Sequence, residues 1–220
     1  MLQGYVDSVL FRDVLERYRV SQVSALRWIV RHCLRNPAGN MSVHRLFLDL
    51  KAQGHAVSKD SVHALLGHLF DAYLLEAVPL HTASERQRNS NPRKIYPADP
   101  GLIHAFDASG RANTGHALET AVFNELQRRR VEAAYVKTAE GLEVDFLVSY
   151  RDGRRELLQV CADASAPDAR EREIRALADA AKSRSKLPAT LLVLTQEQAI
   201  ALAGNGLRVV PAYEWMLAEY

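Results

Sequence analysis

Glu143 to Ala162, EVDFLVSYRDGRRELLQVCA, decides the fold of this chain. Val144, Phe146 and Val148 alternate with Asp145, Leu147 and Ser149, and Leu158 and Val160 alternate with Gln159 and Cys161. This is the period-two pattern of two β-strands. The link between the arms sets their register. A three-residue loop Arg151-Asp152-Gly153, with Gly153 at the positive-φ position of a turn plus bulge, pairs Tyr150 with Arg154. Counting back then sets Asp145 opposite Gln159 and Glu143 opposite Cys161, with all four side chains on one face. A two-residue turn at Asp152-Gly153 instead sends Asp145 and Gln159 to opposite faces.

Downstream of the hairpin, a helix from about Pro167 to Arg184 has Ile174, Leu177 and Ala181 inward. Its dense Arg/Glu outer face reads as solvated, with helical ion pairs. A buried-type strand Ala189 to Thr195, a Gly204-Asn205-Gly206 turn, a strand Leu207 to Pro211 and a last helix Tyr213 to Glu219 follow. Upstream, a helix opening at Thr114 has Leu118, Val122 and Leu126 on its buried stripe and Glu119 beside it, and a strand Ala134 to Thr138 leads into the hairpin. One helix, a meander, a crossover helix and further strands make an α/β sandwich over residues 114–220.

A polar link, Asp107 to Asn113, separates this region from a helical N-terminal one. Residues 5–19 form an amphipathic helix with Val6, Val9, Leu10, Val14 and Leu15 on one stripe, read as a connecting helix within residues 1–20. A second helix carries Val23, Leu26, Ile29, Val30, Cys33 and Leu34 and stops at Asn36-Pro37-Ala38-Gly39. Ser42 caps a third that Gly54 ends, and Ser58 caps a fourth running through Phe70. Strand-like Tyr73 to His81 and Lys94 to Ala98, with a short helix Leu102 to Phe106, complete residues 21–106. Closely joined short helices followed by a strand pair are the layout of a winged helix-turn-helix. The intervening TASERQRNSNPR occupies the wing position, and Arg86, Arg88, Arg93 and the following Lys94 outweigh the single acid Glu85. With Lys59 of the fourth helix they are the candidate DNA contacts, although Asp60 and Asp71 on that helix subtract from phosphate attraction. The competing reading is a protein-docking or interdomain element.

The hydrophobic content of 48% and charged content of 25% over 220 residues belong to a folded globular chain of one large or two small domains. A formal charge of +2 is too small to imply nucleic-acid binding by itself. Cys33 and Cys161 lie far apart among apolar neighbours, as buried thiols of a reducing compartment do, and a cytoplasmic location is expected. No apolar run approaches the roughly 18 to 20 residues of a membrane span, and the first residues lack a signal-peptide layout. Without G-x-x-x-x-G-K-[ST] nothing cradles a nucleotide phosphate, and the histidines show no metal-ligand spacing.

A carboxylate and a carboxamide side by side in mid-sheet supply hard oxygen donors suited to Mg²⁺. Asp145 followed by Gln159-Val160-Cys161 resembles the PD-(D/E)XK nuclease pattern. In that family the Asp and the Glu or Gln hold the metal, and a Lys two residues on activates water; Cys161 stands at that Lys position. The bland alternative is that Asp145 and Gln159 are polar residues on a half-exposed face.

The ordered phrases FRDVLERYRV, SVHRLFLDLKAQGHAVSKDSV, NPRKIYPADPGL, LETAVFNELQRR, EVDFLV and LLQVCAD resemble the C-terminal half of a bacterial and archaeal group of AAA+ ATPases. There a P-loop ATPase domain precedes a winged helix and a restriction-endonuclease-like domain of unknown function. The ATPase half is missing here, as in a truncated product or a gene for the tail alone. The resemblance implies an α/β chain: an N-terminal all-α winged helix, then a PD-(D/E)XK-like sandwich. Glu119, Asp145 and Gln159 take the acid or amide positions, and Lys137 offers a relocated lysine. Three functions compete. One is a DNA-binding or ATPase-regulating module without chemistry. The second is a Mg²⁺-dependent DNA nuclease using Glu119, Asp145, Gln159 and Lys137. The third is a scaffold whose apolar stripe of residues 6–15 docks on a partner ATPase.

Overall fold

The computed structural model describes residues 1–107, 113–163, 167–184, 187–204 and 206–218. The chain begins with α1 (Leu2–Val9), which continues as a π-helical segment, Leu10–Glu16. Val6, Val9, Leu10 and Val14 are buried along it. These are the i, i+3, i+4 and i+8 positions of one apolar face. Then come α2 (Val23–Arg35), β1 (Asn40–Met41), α3 (Val43–Ala52), α4 (Lys59–Asp71), β2 (Leu75–Val78), α5 (Glu85–Ser90), β3 (Arg93–Pro97) and α6 (Pro100–Phe106). They are followed by α7 (Thr114–Arg128), β4 (Glu132–Lys137), β5 (Glu143–Ser149), β6 (Arg155–Cys161), α8 (Pro167–Ser183), β7 (Ala189–Val193), α9 (Gln196–Leu202), β8 (Arg208–Pro211) and α10 (Ala212–Leu217). Asn205, residues 108–112 of the polar link and Glu219 lie outside the described residues.

Two compact units result: Met1–Val78 with Ser90–Asn113, and Pro79–Asn89 with Thr114–Tyr220. In the first, the caps act as their residue types dictate. Ser42 accepts from the Arg45 amide ahead of α3, Ser58 and Ser61 form a reciprocal capping box ahead of α4, and Asp99 accepts from the Gly101 amide ahead of α6. Gly54, at φ +82°, turns the chain out of α3. The strands form an antiparallel sheet in the order β1-β3-β2, with Val78 opposite Lys94. The helices close over a core that includes Val6, Leu10, Leu26, Ile29, Leu50, Leu66 and Leu75. The stripe on residues 6–15 is therefore spent inside this unit; it is neither a connector standing apart nor an exposed docking face.

In the second unit a five-stranded sheet runs β4-β5-β6-β7-β8. The first three strands are antiparallel, and β7 and β8 run parallel to β6. Both faces are covered. Phe123 of α7 stacks with Phe146 of β5 at 6.2 Å between ring centroids. On the other face Ala176, Leu177 and Ala180 of α8 share a core with Leu147, Leu157 and Leu191. Past Val78 the chain leaves the strand pairing of the first sheet. Leu80 bridges in parallel to Tyr135 of β4, the His81 amide donates to the Tyr135 carbonyl (2.8 Å), and the Tyr135 amide donates to the Pro79 carbonyl (3.0 Å). The register of β4 against β5 shifts between Ala134 and Val136, a bulge at Tyr135. The expected wing thus divides: residues 79–89 belong to the second unit and contain all of α5 but its last residue, with Ser84 at its start, while Arg93 and Lys94 belong to β3. No helix among the described residues is long and apolar enough to cross a membrane.

Candidate functional site

The turn that fixes the site is the three-residue one. Gly153 adopts φ +86°, its amide donates to the Tyr150 carbonyl at 3.0 Å, and the Tyr150 amide donates to the Arg154 carbonyl at 2.9 Å. Ladder pairs run from Ser149 opposite Arg155 to Phe146 opposite Leu158, and the next pair in that count is Asp145 with Gln159. From there side chains take over the hydrogen bonding. The Asp145 amide donates to Gln159 Oε1 (3.1 Å), the Val160 amide to Asp145 Oδ2 (3.0 Å), and Gln159 Nε2 to Asp145 Oδ2 (2.9 Å). Gln159 Nε2 also donates to Glu173 Oε2 of α8. Arg172, adjacent in sequence, donates to Glu173 Oε1 at 2.7 Å.

One carboxamide therefore bridges two carboxylates. Its orientation is dictated by chemistry, because flipping it would set its oxygen against Asp145 and Glu173 and its NH₂ against the Asp145 N–H. Asp145 and Gln159 are enclosed, 7% and 3% exposed, and Glu173 is half-buried. Cys161 follows on the same face. Burial first, and then the charges of Glu173, Asp163 and Asp145, push its thiol up to about 11, with Arg170 acting the other way. A neutral thiol thus occupies a spot whose surroundings favour a cation.

The remaining expected residues fare differently. Glu119 is buried on α7, on the inward stripe itself and not beside it. That helix meets the sheet through Phe123 on Phe146, and Phe146 points to the face opposite Asp145 because side chains alternate along a strand. Lys137 is exposed on β4 opposite Glu143, with Nζ 6.0 Å from the centroid of the Tyr135 ring. No ion pair joins it to Asp145 among the described residues. Lys59, Arg86, Arg88 and Arg93 are exposed. Lys94 is 3% exposed on the central strand of its sheet, so it is removed from the candidate DNA contacts.

Glu173 is the member that sequence reading missed, as part of the supposed solvated outer face of α8. Its spacing to Leu177 and Ala180 puts it on the buried stripe, and that was the available signal. Among the described residues, ion pairs of α8 join Arg172 to Glu173 and Arg175 to Glu140.

Mg²⁺ requires several oxygens facing one point. Gln159 turns its NH₂ to the two carboxylates, and its oxygen is engaged by the Asp145 amide. Among the described residues no group of three or more His, Cys, Asp or Glu is placed to hold a metal ion. This arrangement does not fit the metal.

Residues 1–113 match a family described as a domain of unknown function, DUF8612, and residues 114–215 match a second domain of unknown function, DUF4143. The first match covers just over half of the chain, which belongs to that family. The chain is also 28% identical, over 228 residues, to the uncharacterized protein MJ1544 of Methanocaldococcus jannaschii. That match takes in 99% of this chain and 50% of the archaeal protein, so the chain spans about half the length of this curated relative. No solved structure matches.

Proposed function

We propose that the chain is a DNA-binding or regulatory C-terminal module of an AAA+ type ATPase, whose PD-(D/E)XK-like unit does not cleave. The observation that carries this reading is the clasp of Asp145, Gln159 and Glu173. It has the strand positions of a nuclease centre, but its amide is turned to hold carboxylates together and a neutral thiol stands where a water-activating amine belongs. The topology supports it. The first unit runs helix, strand, helix, helix, strand, strand with order β1-β3-β2, as a winged helix does. The second runs helix, antiparallel meander, crossover helix, parallel strand, as a restriction-endonuclease-like domain does. Lys59, Arg86, Arg88 and Arg93 are the exposed cations for phosphate contact. The resemblance of the ordered phrases to the ATPase group supports an ATPase as the partner, and the chain spans about half the length of its archaeal relative.

The test incubates the chain with single-stranded, duplex and branched DNA in Mg²⁺ and in Mn²⁺, beside an Asp145→Ala control. Salt-sensitive binding without cleavage is expected. Cleavage that the Asp145→Ala change abolishes would establish a nuclease instead.

A further inference from the structure

Positive groups gather at the hairpin end of the second unit's sheet, at the opposite end of β5 and β6 from the clasp. His81 Nε2 lies 3.4 Å from a guanidinium nitrogen of Arg155, the first residue of β6. Burial, and then Arg155, Arg184 and Arg88, hold the His81 imidazole toward its neutral form. Burial and Arg155 likewise act against the charge of Arg184, which follows α8, while Asp179 supports it. His81, Thr82, Arg88, Ser149 and Arg155 line a groove of about 310 Å³, with Glu132 of β4 the acid on its wall. Arg155 also borders a neighbouring groove of about 500 Å³ with Arg129, Arg154, Arg208 and the acid Glu156, and there Arg154 is paired with Asp152. Converging like charges work against the folded state, and an anion lying among them removes that opposition. Planar guanidinium forks match phosphate oxygens two at a time. Two grooves sharing one arginine outrun the footprint of a single phosphate, and that favours a strand with repeating phosphates over a small ester.

We propose that this end of the second unit binds the phosphodiester backbone of a nucleic-acid strand, with Arg88, Arg155 and Arg184 on phosphate oxygens and protonated His81 as a further donor. Its residues all belong to the second unit, whereas Lys59 and Arg93 belong to the first, and it rests on the nucleic-acid reading above for the identity of the polyanion. The groups facing His81 are Arg155 from β6, Arg184 beyond α8, Arg88 from α5 and, on the groove wall, Glu132 from β4. Bound phosphate cancels the arginines' effect on the imidazole, so binding takes up a proton and tightens as pH falls through the histidine range.

The experiment titrates the whole chain with a labelled single-stranded oligonucleotide across a salt series while following the His81 ring by NMR. Inorganic phosphate serves as the second ligand. In the wild type the oligonucleotide is expected to shift the His81 signals, and phosphate to do so only at far higher concentration. Arg155→Gln with Arg184→Gln should lower the slope of log affinity against log salt by about 1.4, two contacts at roughly 0.7 each. Arg155→Gln alone, at an exposed position, gives half that loss if the double variant melts early. A His81 ring unmoved by saturating oligonucleotide overturns the site, as does wild-type affinity and slope in these variants. If only Lys59→Gln with Arg93→Gln weakens binding, this site fails and the DNA reading stands; if the wild type binds no oligonucleotide, both fail. Equal response to phosphate and oligonucleotide overturns the assignment to a polymer.

Discussion

Gln159 keeps the buried Asp145 carboxylate and the half-buried Glu173 carboxylate in contact through one NH₂ group. Gln159→Glu removes that donor and sets three carboxylates together, which should cost about 2–4 kcal/mol at pH 7.5. The introduced acid, beside Asp145 and Glu173, has its pKa raised in the folded state. Its protonated form is therefore the one the fold favours, and the deficit shrinks as pH falls through that raised value; urea titrations at pH 7.5 and pH 5 measure it. The thiols act at the other end of the scale. Burial pushes Cys33 up to about 12, and burial with neighbouring acids pushes Cys161 up to about 11. Stability tied to a raised pKa is complete below the unfolded thiol value and is lost as pH rises through the folded one. Thermal melts should therefore fall from about pH 9 upward, and a disulfide reagent at pH 7.5 should modify the native chain slowly and the denatured chain fast. The acids that keep Cys161 protonated would welcome an amine. Gln159→Glu with Cys161→Lys should fold and acquire Mg²⁺-dependent cleavage, and Cys161→Lys alone should fold without it.

At the scale of elements, the hairpin turn carries the register. Gly153 has φ +86°, and a Cβ there meets nothing within 4 Å, so Gly153→Ala suffers only the backbone penalty. The expected loss is about 1 kcal/mol with an unchanged urea slope. This turn is also why the hairpin was legible in advance: alternation named the faces, and a glycine with a defined conformational need named the partner of every residue. The caps at Ser42 and Ser58 were legible for the same reason, being local chemistry. What escaped was decided by tertiary packing or by shortness. The two-residue β1 carries no pattern to read. α9 hides behind β7, and Thr195, read as the strand's last residue, caps it reciprocally with Gln198. Lys94 misleads because Lys94, Ile95, Tyr96 and Pro97 are all buried, so alternation gave no sign of which side chain was enclosed. Glu173 looks like its solvated neighbours in composition and differs from them only in phase.

At the scale of the whole molecule, the chain passes from the first unit to the second after Val78, returns after Asn89, and passes again after Asn113. The middle excursion matters because β4 is an outer strand of the five-stranded sheet, and Pro79 to His81 occupy hydrogen-bonding groups of Tyr135 along it. The family boundary between residues 113 and 114 invites expression of the second domain by itself. Such a fragment lacks the excursion, and its outer strand then offers unpaired amides and carbonyls to any other chain. Residues 114–218 alone should self-associate in light scattering at concentrations where the full chain does not, and a charged residue at Ala134 should suppress it. Pro79 to His81, whose alternation read as the end of a strand, thus cover an outer edge that would otherwise recruit further copies, and a crystallographer or cell biologist who trims them away is expected to meet an aggregate.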